Sequence, residues 1–177
     1  MPAETVILGI DIGTSGCKAL LLDPAGTVLA THTATYDASA PRPGWSEQDP
    51  EDWITGARAA IAGVLAKRPS TELVAIGLSG QMHGLTPLDE AHRVLRPAIL
   101  WNDQRNAAEC AEITEAVGGL PALLAQTNNR MLPGYTGGKI VWMRKHEPEL
   151  FGRLRHVLNP KDYLRLQLTG ELATEVS

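Results

Sequence analysis

The residues best suited to chemistry stand near the start of the chain. In "GIDIGTSGCKALLLD", Gly9 to Asp23, an apolar run carries an acid at Asp11, breaks into Gly13-Thr14-Ser15-Gly16, and turns apolar again after Lys18. Glycines let a backbone approach phosphate oxygens closely, and successive N–H groups form an anion-binding concavity. Gly13 would supply such an N–H, Thr14 and Ser15 would add hydroxyls, and Lys18 a cation where its side chain faces the loop. Asp11, an acid ending a buried strand, would hold a divalent cation directly or through water, because Mg²⁺ offsets phosphate charge. The same stretch also reads as a plain hairpin turn, with Asp11 hydrogen-bonding the bend. Gly-x-Gly-x-x-Gly and Gly-Lys-Ser/Thr are both absent, so dinucleotide and Walker-type loops are excluded.

Two further groups carry polar chemistry of another kind. "GLSGQMHGL" (Gly77 to Leu85) places Gln81, Met82 and His83 just past an apolar run, where ligands gather at the carboxyl ends of strands. "LRPAILWNDQR" ends on Trp101, Asn102, Asp103 and Arg105. Such a set suits a polyol: carboxylate and amide oxygens accept hydroxyl protons, amide or guanidinium groups donate back, and an aromatic face covers C–H surface. Each residue also has a plainer reading. His83 fits a hydrogen-bonded structural histidine, Asp103 the cap of a following helix, and Trp101 a core position.

These groups need a frame to hold them. Val6 to Ile12 reads as a buried strand, Lys18 to Leu22 as a second, and Val28 to Thr35 as a third after the turn "DPAGT". Short turns make them an antiparallel meander, since parallel neighbours need a long crossover. The prolines and glycine of "SAPRPGWSEQDP" predict a loop without regular structure. A helix follows, with Asp49 as N-cap, Pro50 first in the helix, Glu51 and Asp52 in its first turn, and Trp53, Ala57, Ala60, Ile61, Val64 and Leu65 on one face. "LVAIGLS" (Leu73 to Ser79) predicts a fourth strand, buried on both faces and joined through a right-handed crossover. Thr86 to Leu88 and Ala98 to Leu100 read as short strands. Ala107 to Val117 reads as a helix stopped by Gly118-Gly119, and Gly138 to Lys145 and Lys161 to Leu168 as two more. The fold class expected is α/β, a mixed sheet with an antiparallel meander, parallel strands and flanking helices.

Composition narrows the partners. The 177 residues are 44% hydrophobic and 20% charged, with a net charge of −4. One domain is the default for that length. Mild acidity without basic runs argues against nucleic acid or an anionic membrane. No apolar run reaches the ~18 residues of a membrane span, and the N-terminus lacks the order of a signal peptide. Two cysteines, Cys17 and Cys110, suit a reducing compartment. The expectation is a cytoplasmic globular protein; a homodimer is allowed.

A phosphate hairpin between antiparallel strands resembles the actin-like ATPase (ribonuclease H-like) fold. With "PGWSEQDPEDW", "GLSGQMHGL", "RPAILWNDQR", "HEPELF" and "NPKDYLRLQLTGELATE" in order, nearly the whole chain resembles the carbohydrate kinase family with the FGGY signature, its xylulokinase branch most closely. That resemblance implies two actin-like domains flanking a cleft, ATP and Mg²⁺ as cofactors, a sugar as substrate, and, for the branch, D-xylulose converted to D-xylulose 5-phosphate. Met82 and His83 match the family's sugar-binding pair, with Gln81 beside them. Asp11 matches the acid near the metal and the transferring phosphoryl group, and Thr14 and Ser15 match the phosphate-loop hydroxyls. Trp101, Asn102 and Asp103 match a segment on the sugar side. Lys161 and Asp162 fall in a stretch read as architecture, where Asp162 supports the first turn of a helix that buries Tyr163, Leu164 and Leu168.

Two implied parts have no counterpart in these residues: the catalytic Asp that takes the hydroxyl proton, and the second, nucleotide-binding domain. The expectation is therefore a truncated N-terminal, sugar-side domain spanning 1–177, with little kinase activity alone and with apolar surface left uncovered. Other readings are a kinase for another ketose or polyol, a catalytically silent sugar-binding module, and, more distantly, a chaperone-type ATPase.

Overall fold

The structure is a computed structural model and describes residues 4–175. In chain order these form β1 (Glu4–Ile12), β2 (Gly16–Leu22), β3 (Val28–Thr35), β4 (Glu47–Gln48), α1 (Pro50–Leu65), β5 (Thr71–Gly80), β6 (Thr86–Leu88) and β7 (Ala98–Ile99). Then come α2 (Ala107–Ala116), α3 (Leu120–Thr127), α4 (Thr136–His146), α5 (Pro148–Arg153), β8 (His156–Leu158) and α6 (Pro160–Thr169). Length gives one domain as the default, but packing separates the described residues into two compact units. Residues 4–38, 49–81 and 160–175 make the first, and residues 39–48 and 82–159 the second.

The first unit is built on a sheet of order β3-β2-β1-β5 among the described residues. The predicted meander is present: β1 pairs antiparallel with β2, and β2 with β3. After α1 the chain returns as β5, parallel to β1. Alternation sorts the side chains, since successive residues of a strand point to opposite faces. Val6, Leu8, Ile10 and Ile12 of β1 and Cys17, Ala19 and Leu21 of β2 are buried. Helix α1 packs against β2 and β3. It starts as the sequence dictates, with the Asp49 carboxylate accepting the Glu51 N–H at 3.0 Å. It buries Trp53, Ile54, Ala57, Ala60 and Val64, while Ile61 and Leu65 are half-buried. Each fully buried aliphatic side chain contributes about 1.5–3 kcal/mol. Helix α6 leans on α1, its Tyr163 ring edge-on to Trp53 at 6.5 Å.

Gly16 is required by close approach. A Cβ there would lie 2.7 Å from the Ala34 carbonyl oxygen, on backbone that cannot swing aside. Gly16→Ala should destabilise the chain by about 1–3 kcal/mol through this overpacking. A thermal midpoint unchanged from the parent would contradict that reading of the hairpin.

Three expectations need correction here. The 73–79 run forms a strand, but not one buried on both faces: Leu73, Val74 and Ile76 are 41%, 57% and 48% exposed. β5 lies at the edge of the sheet, while α1 packs mainly on β2 and β3, and apolar composition reports strand propensity rather than the presence of neighbours. In α6, Leu168 is half exposed and Leu166 is buried instead, because position 166 shares a face with Asp162 and Tyr163 and Leu168 falls in the last turn. The loop before α1 also contains regular structure, for β4 pairs antiparallel with β7 through Glu47↔Ile99 and Gln48↔Ala98.

The second unit joins β4 to β7 and β6 to β8, both antiparallel, beside helices α2 to α5. Its core gathers Leu85, Ile99, Trp142 and Met143, with Phe151, Leu154 and Val157 packed against them. Helix α2 stops where Gly118 and Gly119 take φ values of 101° and 87°, a conformation natural to glycine. Helices α3 and α5 and strand β8 are short elements that local sequence pattern does not announce. Each of the two helices starts with a proline in its first turn.

Candidate functional site

In the first unit, the β1–β2 hairpin closes over Gly13 to Gly16. The Gly13 N–H donates to the Gly16 carbonyl at 2.9 Å, and Ile12 faces Cys17 at the last paired step. The loop is held from two sides. The Tyr36 hydroxyl donates to the Gly13 carbonyl at 2.9 Å, and burial keeps that phenol protonated by raising its pKa. Gln81 approaches from the end of β5: its N–H donates to the Ile12 carbonyl at 2.7 Å, and the Thr14 hydroxyl donates to its Oε1 at 3.2 Å. Ser15 is exposed at the tip. Asp11 is also exposed, one residue before the end of β1. It stands directly across from Lys18 on β2, and such antiparallel partners lie on one face. The structure thus gathers Asp11, Gly13, Thr14, Ser15, Lys18 and Gln81 at one hairpin. Gln81, read from the sequence as a sugar-side residue, is bonded to the loop carrying the hydroxyls.

The second unit gathers the other candidates. Met82 is 63% exposed and Trp101 47% exposed, with Asn102 exposed beside it. His83 is half-buried and adopts φ 60°, in the left-handed region that few non-glycine residues occupy. Its ring meets Tyr135 edge-on, 4.6 Å between centroids. Burial, and then the Lys139 ammonium, hold its pKa below the ordinary histidine value of about 6.5. The imidazole is therefore neutral at neutral pH, able to donate from one nitrogen and accept at the other. An NMR titration of the His83 ring should show a midpoint below 6.5. Because the unfolded chain then binds its proton first, His83 removes stability as pH falls through that range. A midpoint at or above 6.5 would contradict this environment.

Asp103 has a different setting from Trp101 and Asn102. It is fully buried, accepting the Ser46 N–H at 2.6 Å and the Arg105 guanidinium at 2.7–3.0 Å. Nor does it cap α2, whose N-cap position is Asn106. Arg105 reaches Glu47 at 2.7 Å, Arg96 joins Glu47 to Glu147, and Arg105 lies 3.6 Å over the Trp45 ring. This chain of charges supports the Trp101–Asn102 turn from below: the Asp103 N–H itself donates to the Leu100 carbonyl at 3.2 Å.

Sequence reasoning missed Tyr135 and Lys139. Lys139 is completely buried on α4, donating to the His83 and Gly134 carbonyls at 2.7 and 2.6 Å. Burial draws its pKa down to about 8, against the upward pull of Asp103. The available signal was a lysine in "GGKIVWM", amid residues that read as a helix's apolar face; such lysines usually send the head to solvent.

The mixed sheet of the first unit, an antiparallel meander extended by a parallel strand, has the architecture of the actin-like ATPase class. Residues 6–177 match the sequence pattern of the FGGY family of carbohydrate kinases, N-terminal domain, and the chain belongs to that family. It is 47% identical over 170 residues to a xylulose kinase of Escherichia coli (strain K12), covering 96% of this chain and 34% of that protein. Among solved structures, a xyloylose kinase from Brucella ovis superposes with a TM-score of 0.89 at 50% identity, covering 94% of this chain and 34% of that one. A xylulose kinase from Rhodospirillum rubrum superposes with a TM-score of 0.91 at 33% identity, covering 96% and 35%. The chain spans about a third of the length of the curated relatives it matches. Among the described residues no helix is long and apolar enough to cross a membrane.

Proposed function

We propose that the chain is the N-terminal, sugar-side part of a cytoplasmic ATP-dependent xylulose kinase, which converts D-xylulose and ATP to D-xylulose 5-phosphate and ADP. The observation that carries this reading is the hairpin loop, pinned by Tyr36 and Gln81 while Ser15 and the neighbouring Asp11 stay exposed. A rigid loop with glycines and hydroxyls beside a carboxylate is what a polyphosphate and its cation require. The names of the relatives that match along nearly the whole chain support the choice of sugar.

Asp11 is the residue that would hold Mg²⁺. Among the described residues no cluster of three or more His, Cys, Asp or Glu side chains forms a cage, and this ion is commonly bound by one or two carboxylates together with substrate phosphates. Asp11 fits that role, and when bound the ion would neutralise charge on the transferring group. Gly13, Thr14, Ser15 and Lys18 would position phosphate oxygens. Met82, His83, Trp101 and Asn102 would receive the sugar, His83 through hydrogen bonds and Trp101 through its ring face. Asp103 would act on the sugar through the turn it anchors. The general base is assigned to a motif outside these residues, as the family resemblance implies.

Calorimetric titration of the chain with D-xylulose, with and without MgATP, tests the reading. Binding of D-xylulose in preference to other ketoses and polyols supports it; binding of another sugar alone reassigns the substrate, and no sugar binding rejects the sugar-side assignment. In the full-length kinase, His83→Ala should raise KM for the sugar by about tenfold or more while changing kcat less, the signature of lost ground-state binding. A fall confined to kcat would remove the histidine from sugar binding.

A further inference from the structure

We propose that Lys139 is a positioning residue for sugar recognition, the tie that fixes the His83 backbone and ring against Tyr135 and the Trp101–Asn102 turn. This rests on the reading of His83 as a sugar-binding residue. An ammonium without exposed surface is tolerated only where hydrogen bonds and charge replace its water. Lys139 meets that condition with two backbone carbonyls, those of His83 at 2.7 Å and Gly134 at 2.6 Å. Both belong to irregular segments outside the strands and helices, where a buried carbonyl must find its partner elsewhere.

The two anchored residues are the ones that set the geometry of the cluster. His83 has a left-handed backbone at φ 60°, a conformation that persists in a non-glycine residue only when the surroundings over-determine it. The bond from Lys139 to the carbonyl of that same residue is such a constraint. Gly134 backs onto the sugar-side turn, since a Cβ there would stand 3.0 Å from the Trp101 carbonyl oxygen. The next residue, Tyr135, presents its ring to the edge of His83 at 4.6 Å. One cation therefore joins the distant His83 loop to the segment that leads into its own helix, and that segment in turn abuts the Trp101 carbonyl. Its own helix is anchored by Trp142 and Met143 in the core of the unit, so the tie has a fixed base. A hydroxyl-bearing ligand would sense the result as the placement of the imidazole, and misplacement of about 1 Å is enough to lose most of such an interaction.

The test compares Lys139→Met, which removes the donor, with Lys139→Arg, which keeps the charge but presents it as a longer planar fork that does not reproduce the compact ammonium between the two carbonyls. Three quantities are read on the purified chain: the thermal midpoint, D-xylulose affinity by calorimetry, and the ring-to-ring nuclear Overhauser contact between His83 and Tyr135. The expected result is that folded Lys139→Met loses the ring contact and binds D-xylulose about tenfold or more weakly, with Lys139→Arg in between. A folded Lys139→Met that keeps both the contact and the affinity, even with a lowered thermal midpoint, overturns the proposal, because a merely structural lysine would behave that way. Should Lys139→Met fail to fold, Lys139→Arg decides. A loss of at least about threefold supports the tie, since the two cations are not interchangeable at a fixed site, and unchanged affinity and contact overturn it. If the parent chain binds no ketose, the sugar reading fails separately, and the His83–Tyr135 contact in the variants still decides whether Lys139 places the histidine.

Discussion

Asp103→Ala is expected to destabilise the chain by about 3–5 kcal/mol, the largest stability loss of any substitution considered. The carboxylate has no exposed surface, and Arg105, which it grips along one edge, has a side chain only 1% exposed. Deleting the acid leaves a guanidinium in the interior facing Trp45, and strips the Ser46 N–H of its acceptor. Unpaired buried donors cost more than paired ones contribute, because water cannot replace the lost partner. Glu47 still lies 2.7 Å from Arg105, which places the expected loss toward the lower end of that range. Urea unfolding should show a lower midpoint with an unchanged slope. The double variant Asp103→Ala/Arg105→Met should cost less than the sum of its parts, since it removes the stranded charge together with its partner. A loss below about 1 kcal/mol, the level of an exposed ion pair, would contradict the buried network and return Asp103 to direct contact with a ligand.

Asp11→Ala has the opposite profile. In the full-length kinase this chain is proposed to belong to, turnover with MgATP should fall by about 10²–10³-fold, the usual cost of deleting one preorganised group at developing charge. Sugar affinity and thermal midpoint should change little. Asp11 is exposed near the end of β1, so its removal leaves no cavity in the core. Its position across from Lys18, two residues from the Gly13 turn, suits the proposed electrostatic role and gives it little packing. Steady-state kinetics and a melting curve separate the two. Turnover preserved within about twofold would remove Asp11 from phosphoryl transfer, whereas a large drop in melting temperature would make it structural. Asn at this position should recover little turnover, because an amide cannot supply the negative charge that the cation needs.

Much of the frame was legible because its signals are local. The meander β1–β2–β3 follows from apolar runs separated by turns too short for a crossover. The start of α1 follows from Asp49, Pro50 and two acids in the first turn, each satisfying or favouring groups that every helix leaves open at its N-terminus. The end of α2 follows from two glycines that alone accept the required φ without strain. The hairpin residues Gly13, Thr14 and Ser15, with Asp11 before them, were legible for the same reason: their spacing is a turn by itself, and their atoms are what phosphate chemistry uses.

What stayed hidden depends on residues far apart in the chain. The burial of β5 could not be read from Leu73 to Ser79, because apolar side chains report only a preference, and a strand at the edge of its sheet leaves Leu73, Val74 and Ile76 exposed. The fates of Trp101 and Asp103, two residues apart, diverge only because Ser46 and Arg105 claim the carboxylate. Gln81 belongs to the hairpin because β5 delivers it there, and Lys139 ties His83 to Gly134 across a separation no periodicity encodes. Local sequence determined the strands, the helix start and the turn of the hairpin loop, since those follow from bonds within a few residues. Only the tertiary structure decided which polar groups face solvent and which hold the site in shape, because burial and long-range hydrogen bonds exist only once distant segments meet.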